Sequence, residues 1–76
     1  MNKSRRVRIT AVYAKLTALQ EELTELMEEE SEALDNLPEP FSESTRALEM
    51  QENIDIMDEV ISQLEDAITS LEPITD

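Results

Sequence analysis

The segment Leu37-Pro38-Glu39-Pro40-Phe41 decides the fold of this 76-residue chain. Each proline restricts its own φ angle and disfavours helix in the residue before it. Two prolines this close together therefore predict a turn over residues 37–41. The third proline of the chain, Pro73, is predicted to end the second helix and to leave residues 73–76 as a short tail.

Apolar residues recur on both sides of this turn in alternating steps of three and four. This spacing is the a/d heptad pattern of coiled-coil helices. It predicts one helix over residues 4–36 and a second over residues 42–72, with Ser42 or Ser44 as the N-cap of the second. Glu30 is the one polar residue among the a/d positions, which are Ile9, Val12, Leu16, Leu19, Leu23, Leu26, Glu30, Ala33, Leu37, Ala47, Met50, Ile54, Met57, Ile61, Leu64, Ile68 and Leu71.

The two heptad patterns match when the chain folds back at residue 40. Leu19 then faces Ile61, and Leu16 faces Leu64, and every a/d residue outside the turn meets another a/d residue. We therefore predict an all-α fold with a single domain over residues 1–76, an antiparallel and coiled-coil-like helical hairpin.

A lone two-helix hairpin leaves part of each apolar stripe in water, and a core this small is only marginally stabilising. Further apolar residues beside the heptad positions widen the stripe towards the pattern of a bundle helix. We therefore expect a homodimer in which two hairpins form a four-helix bundle. The expected dimer or partner interface consists of Tyr13, Met27, Val60 and Ala67.

Charge is divided unequally along the chain, whose formal net charge is −13. The first twenty residues contain five of the six Lys and Arg residues and none of the 19 Asp and Glu residues. Basic residues in a first helical turn oppose the helix macrodipole, so another role is needed to explain them. We expect this basic arm, Lys3, Arg5, Arg6 and Arg8, to contact an acidic surface of a dimer mate or of another protein.

Acidic residues follow one another at helical spacing in the second half of the first predicted helix. Like charges three or four residues apart destabilise a helix, which a purely structural surface would avoid by including Lys. One interpretation is solubility through excess acid. The other is a surface that imitates nucleic-acid phosphates and inhibits a DNA- or RNA-binding protein, for example one used in defence. The predicted partner-binding residues are Glu25, Glu28, Glu29 and Glu32.

The composition argues against catalysis. The chain has no His, Cys or Gly, which removes the commonest general base, thiol nucleophiles and glycine-rich phosphate loops. Its Ser and Thr hydroxyls have no His to activate them. We predict no enzymatic activity, with no catalytic, cofactor-binding or metal-binding residues and no cofactor.

One alternative to this prediction concerns magnesium. The spacing of five acids resembles the magnesium motif of all-α nucleotide pyrophosphohydrolases, and this resemblance implies a small magnesium-dependent enzyme. However, the acids of the first helix lie off the a/d positions, pointing away from the second helix. The five residues are Glu21, Glu22, Glu25, Glu52 and Asp55.

The longest uninterrupted apolar run is only the four residues Ala11–Ala14, and no targeting segment is recognisable. We therefore expect a cytoplasmic protein that does not enter a membrane. We also expect no direct binding of nucleic acid, because most of the chain is acidic and no base-stacking aromatic accompanies the basic arm.

A resemblance to known proteins rests on the turn and on the basic start of the chain. The turn reads Glu32-Ala33-Leu34-Asp35-Asn36-Leu37-Pro38-Glu39, then Ser42-Glu43-Ser44-Thr45-Arg46, and the start reads Asn2-Lys3-Ser4-Arg5-Arg6. These segments resemble small acidic two-helix hairpin proteins of unknown function from bacteria and their prophages. The resemblance implies no activity. It does imply a phage or mobile-element origin, and hence a modulator of a host protein that acts by protein–protein interaction.

Overall fold

The computed structural model describes residues 1–76 and consists of two long antiparallel helices, with no strand. Helix α1 spans Lys3–Asp35 and helix α2 spans Thr45–Leu71, with short 3-10 helices at Glu39–Phe41 and Glu72–Ile74. The molecule is a rod with extents of 60 × 14 × 12 Å. It shows the predicted all-α helical hairpin. Neither helix contains an apolar stretch of the length needed to cross a bilayer.

The turn determines where α2 begins. The Ser44 hydroxyl oxygen accepts a hydrogen bond from the Ala47 backbone N–H at 3.3 Å and so caps the helix. Ser42, the other predicted cap, instead donates both its backbone N–H and its hydroxyl to the Glu39 carbonyl, because it closes the 3-10 helix of the turn. Helix α2 therefore starts at Thr45, three residues later than the sequence pattern predicts.

The packing face of α2 coincides with its predicted heptad positions. Ala47, Met50 and Ile68 are buried, with 4%, 7% and 8% of their surfaces exposed. The remaining heptad positions are all half-buried, and they are Ile54, Met57, Ile61, Leu64 and Leu71. The prediction for this helix is confirmed.

The packing face of α1 differs from its predicted heptad positions. Val12, Leu19, Leu26 and Ala33 are expected between the helices, but all four are exposed, so this part of the prediction is wrong. The exposed fractions of the first three are 48%, 55% and 50%. Their places towards α2 are taken by a neighbouring row of half-buried residues. The half-buried residues of α1 are Arg6, Ile9, Thr10, Tyr13, Leu16, Thr17, Gln20, Leu23, Thr24, Met27, Glu30, Ser31 and Leu34.

Four polar side chains of this row form hydrogen bonds within the hairpin. The hydroxyls of Thr10, Thr17 and Thr24 each donate to the backbone carbonyl four residues earlier, at 2.9, 3.1 and 2.9 Å. A threonine bonded in this way can turn its methyl group towards a neighbouring helix. The Gln20 side-chain amide donates across the hairpin to the Ile61 carbonyl at 3.4 Å. Helix α1 is therefore rotated about its axis relative to the expectation from apolar residues alone.

Candidate protein-binding faces

The hairpin has two broad faces, and helical geometry determines which side chains share each face. Seen from one end of the rod, α1 winds clockwise, while α2 runs the opposite way and winds counterclockwise. The residues beside the helix–helix interface on one side are therefore Val12, Leu19 and Leu26 of α1 with Val60 and Ala67 of α2. We call this set the apolar face. All five residues are exposed.

The apolar face carries four of the ten large apolar side chains that are exposed on the rod. Val12, Leu19 and Leu26 lie seven residues apart on α1, and each exposes about half of its surface. Val60 exposes 37% of its surface on the neighbouring helix. Single exposed apolar residues need no explanation, whereas a continuous row of them makes this face a candidate binding surface.

A shallow groove lies at the N-terminal end of the apolar face. Its walls combine the apolar side chains of Ile9, Ala11 and Val12 with cationic side chains around them. The cations lining the groove are Arg5, Arg8 and Lys15. This end of the face therefore presents an apolar floor with a positive rim, a suitable surface for an apolar segment that carries acidic neighbours.

The four predicted interface residues are not gathered in one place. Tyr13 and Met27 are half-buried on the side of α1 that faces α2, whereas Val60 and Ala67 are exposed on the apolar face. The assignment of all four to an interface with another molecule stays a prediction. Sequence reasoning did not identify the α1 row of the apolar face as a site. The signal that could have found it is the seven-residue spacing of Thr10, Thr17, Thr24 and Ser31, which marks a second stripe able to pack against α2.

The predicted acidic residues Glu25, Glu28, Glu29 and Glu32 are all exposed. Helical geometry places Glu25 and Glu32 on the side of α1 turned away from α2, and Glu29 at the outer edge of the apolar face. The broad face opposite the apolar face is also acidic, because helical geometry places Glu21, Glu28 and Asp35 of α1 beside Asp58, Glu65 and Glu72 of α2. A shallow groove there has no apolar lining residue, and it is formed by Gln20, Glu21, Thr24, Glu25 and Glu28. We call this broad side the acidic face.

The basic arm is divided by the fold. Lys3, Arg5 and Arg8 are exposed, whereas Arg6 is half-buried on the side of α1 that faces α2. The Asn2 side chain accepts a hydrogen bond from the Arg5 backbone N–H at 2.8 Å, which caps α1 and holds the arm in helical conformation from its start.

The acids with magnesium-motif spacing, Glu21, Glu22, Glu25, Glu52 and Asp55, are exposed. No three acidic side chains converge in the structure in a way that could hold a metal ion.

No protein-family model matches this chain, and comparisons with curated proteins and with solved structures give no match either.

Proposed function

We propose that this protein is a non-enzymatic helical hairpin that functions by protein–protein interaction, and that its first partner is a second copy of itself. The observation that supports this proposal is the row of half-exposed side chains Val12, Leu19 and Leu26 beside the exposed Val60. The two apolar faces pack against each other, which gives a four-helix bundle.

The free energy available from this contact supports a dimer. Full burial of a Val or Leu side chain stabilises by about 1.5–3 kcal/mol, so a half-exposed one has about 1 kcal/mol still to gain. Val12, Leu19, Leu26 and Val60 contribute from both copies. Their sum is several kcal/mol, part of which offsets the entropy lost on association. The hairpin alone has only three buried residues, so the additional core matters for its stability.

The proposal predicts the mass of the protein in solution. We expect sedimentation equilibrium at micromolar concentration to give twice the chain mass of 8.7 kDa. Ala67→Asp should convert the protein to a monomer, because it places a charge within the buried contact. The matched control is Ala14→Asp, which makes the same change at an exposed position of α1 outside the apolar face. A folded native monomer at this concentration contradicts the proposal.

A second candidate function is supported by the acidic face. The groove formed by Gln20, Glu21, Thr24, Glu25 and Glu28 has no apolar residue, so it suits a basic surface and not an apolar one. Dimerisation through the apolar face leaves the acidic face of each hairpin outside. In this second proposal the outer faces imitate nucleic-acid phosphates and occupy the binding groove of a DNA- or RNA-binding protein.

The two candidates differ in what replacing Glu25, Glu28 and Glu32 with Gln should do. Glu29 is kept in this variant because it lies at the outer edge of the apolar face. If the acidic face binds the partner, we expect this variant to lose a basic partner captured from a host lysate and then purified. Helical content should stay the same or rise slightly, because like-charge repulsion is relieved. Native binding should also weaken with salt, since the Debye length falls from about 10 Å at 0.1 M to about 3 Å at 1 M. If the variant still binds that partner in high salt, the acidic face does not imitate nucleic-acid phosphates. The first candidate, a hairpin that functions by protein–protein interaction, then remains.

A further inference from the structure

We propose that the second copy packs antiparallel, with α1 against α1 across a two-fold axis that passes beside Leu19. This inference rests on the homodimer proposed above and adds the orientation and the contacts of the two copies. Charged residues determine this orientation, because the apolar row by itself does not distinguish one orientation from the other.

Charged residues line the outer edge of the apolar face. Arg8, Lys15, Glu22 and Glu29 follow one another at seven-residue spacing, so they form one row on α1 beside Val12, Leu19 and Leu26. All four charged residues are exposed. The row is cationic in its N-terminal half and anionic in its C-terminal half. The charges of this row are therefore complementary to those of the same row on a second copy that runs in the opposite direction.

Antiparallel pairing about Leu19 matches the whole apolar row. Leu19 lies opposite Leu19 of the second copy, and Val12 lies opposite Leu26 of the second copy. These residues are equally spaced about the axis, so the same rotation that pairs one end also pairs the other. A two-fold interface requires that each contact occurs twice with the two copies exchanged, and the apolar row meets this requirement.

The same rotation pairs opposite charges at the edge. Lys15 meets Glu22 of the second copy, and Arg8 meets Glu29 of the second copy, with each pair occurring twice. A parallel arrangement in register instead brings every charge next to the same charge of the second copy. Exposed ion pairs add little affinity, but like charges in contact oppose a wrong orientation. The charged row therefore specifies the antiparallel dimer, while the apolar row stabilises it.

Helix α2 fits the same axis. The hydrogen bond from the Gln20 side chain to the Ile61 carbonyl sets the level of α2 along α1. Val60 therefore lies within about one helical turn of the level of Leu19, since one residue spans about 1.5 Å along the axis. The two-fold axis then brings Val60 close to Val60 of the second copy. Asn53 and Ala67, seven residues to either side of Val60, face each other between the copies.

Cysteine cross-linking tests the orientation, because the chain has no cysteine of its own. We expect Leu19→Cys to form a disulfide-linked dimer on oxidation. We expect Val12→Cys and Leu26→Cys to cross-link when mixed with each other and not when oxidised alone. The control is Ala18→Cys, which lies on the outer side of α1. Cross-linking of Val12→Cys to itself in a dimeric protein overturns the antiparallel orientation and leaves the proposed homodimer intact.

Charge reversal tests the edge pairs separately. Arg8→Glu with Lys15→Glu should raise the dissociation constant of the dimer at low salt by at least about tenfold, because four attractive pairs become repulsive. Adding Glu22→Lys and Glu29→Lys to the same chain restores the complementary order and should restore the native constant. Failure of this rescue in a protein that dimerises overturns the inference only. A native protein that is a folded monomer at micromolar concentration overturns both this inference and the proposed homodimer.

Discussion

Replacement of Ile68 by Ala should lower the free energy of unfolding by about 2–3 kcal/mol, at the lower end of the range for a buried Ile. Ile68 exposes only 8% of its surface and packs between the helices, so truncation removes apolar contacts and leaves a gap. The cost stays at the lower end because a two-helix layer can close partly around the gap. For a domain of this size the loss is a large fraction of the total stability.

Urea denaturation followed by far-ultraviolet circular dichroism measures this loss at one fixed chain concentration. The matched control is Ile56→Ala, which makes the same change on the same helix at a side chain that is 60% exposed. The control should change the free energy of unfolding by less than about 0.5 kcal/mol. Equal effects of the two substitutions would mean that α2 does not use the packing face described above.

Replacement of Val12, Leu19 and Leu26 together by Gln should raise the dissociation constant of the homodimer by at least about a hundredfold. The three side chains supply most of the apolar face of α1, and the dimer loses them from both copies. The hairpin itself should stay helical, because each side chain already exposes about half of its surface and Gln is a good helix former.

Sedimentation equilibrium and circular dichroism of the same samples separate loss of the dimer from loss of the fold. The control replaces Val7 and Leu48 by Gln, since 48% and 65% of their surfaces are exposed and neither lies on the apolar face. This control should remain dimeric. A triple variant that is still dimeric at the native concentration would place the interface elsewhere on the rod.

The fold of this protein is determined by local features of its sequence. Pro38 and Pro40 allow only a turn, and the heptad spacing on both sides allows only helices, so the hairpin follows without further information. The packing face of α2 follows as well. Acidic residues such as Asp58 and Glu65 disfavour burial on one side of its heptad positions. The heptad positions themselves are therefore the residues of α2 that pack against α1.

The packing face of α1 was decided by the tertiary structure. On α1, the row that contains Leu16 and Leu23 lies between two other rows. On one side is the apolar row of Leu19, and on the other side is the row of Tyr13 and Met27, which also contains polar residues. Helix α2 alone cannot cover both of these flanking rows. Hydrophobicity favours contact of the Leu19 row with α2, yet the structure turns the row of Tyr13 and Met27 towards α2. The threonines beside that row bond to their own backbone, and Gln20 bonds across to α2. The sequence therefore determined that α1 has more apolar surface than one neighbour can bury. Which part stays exposed depended on how the side chains of the two helices fit together, and that fit produced the apolar face.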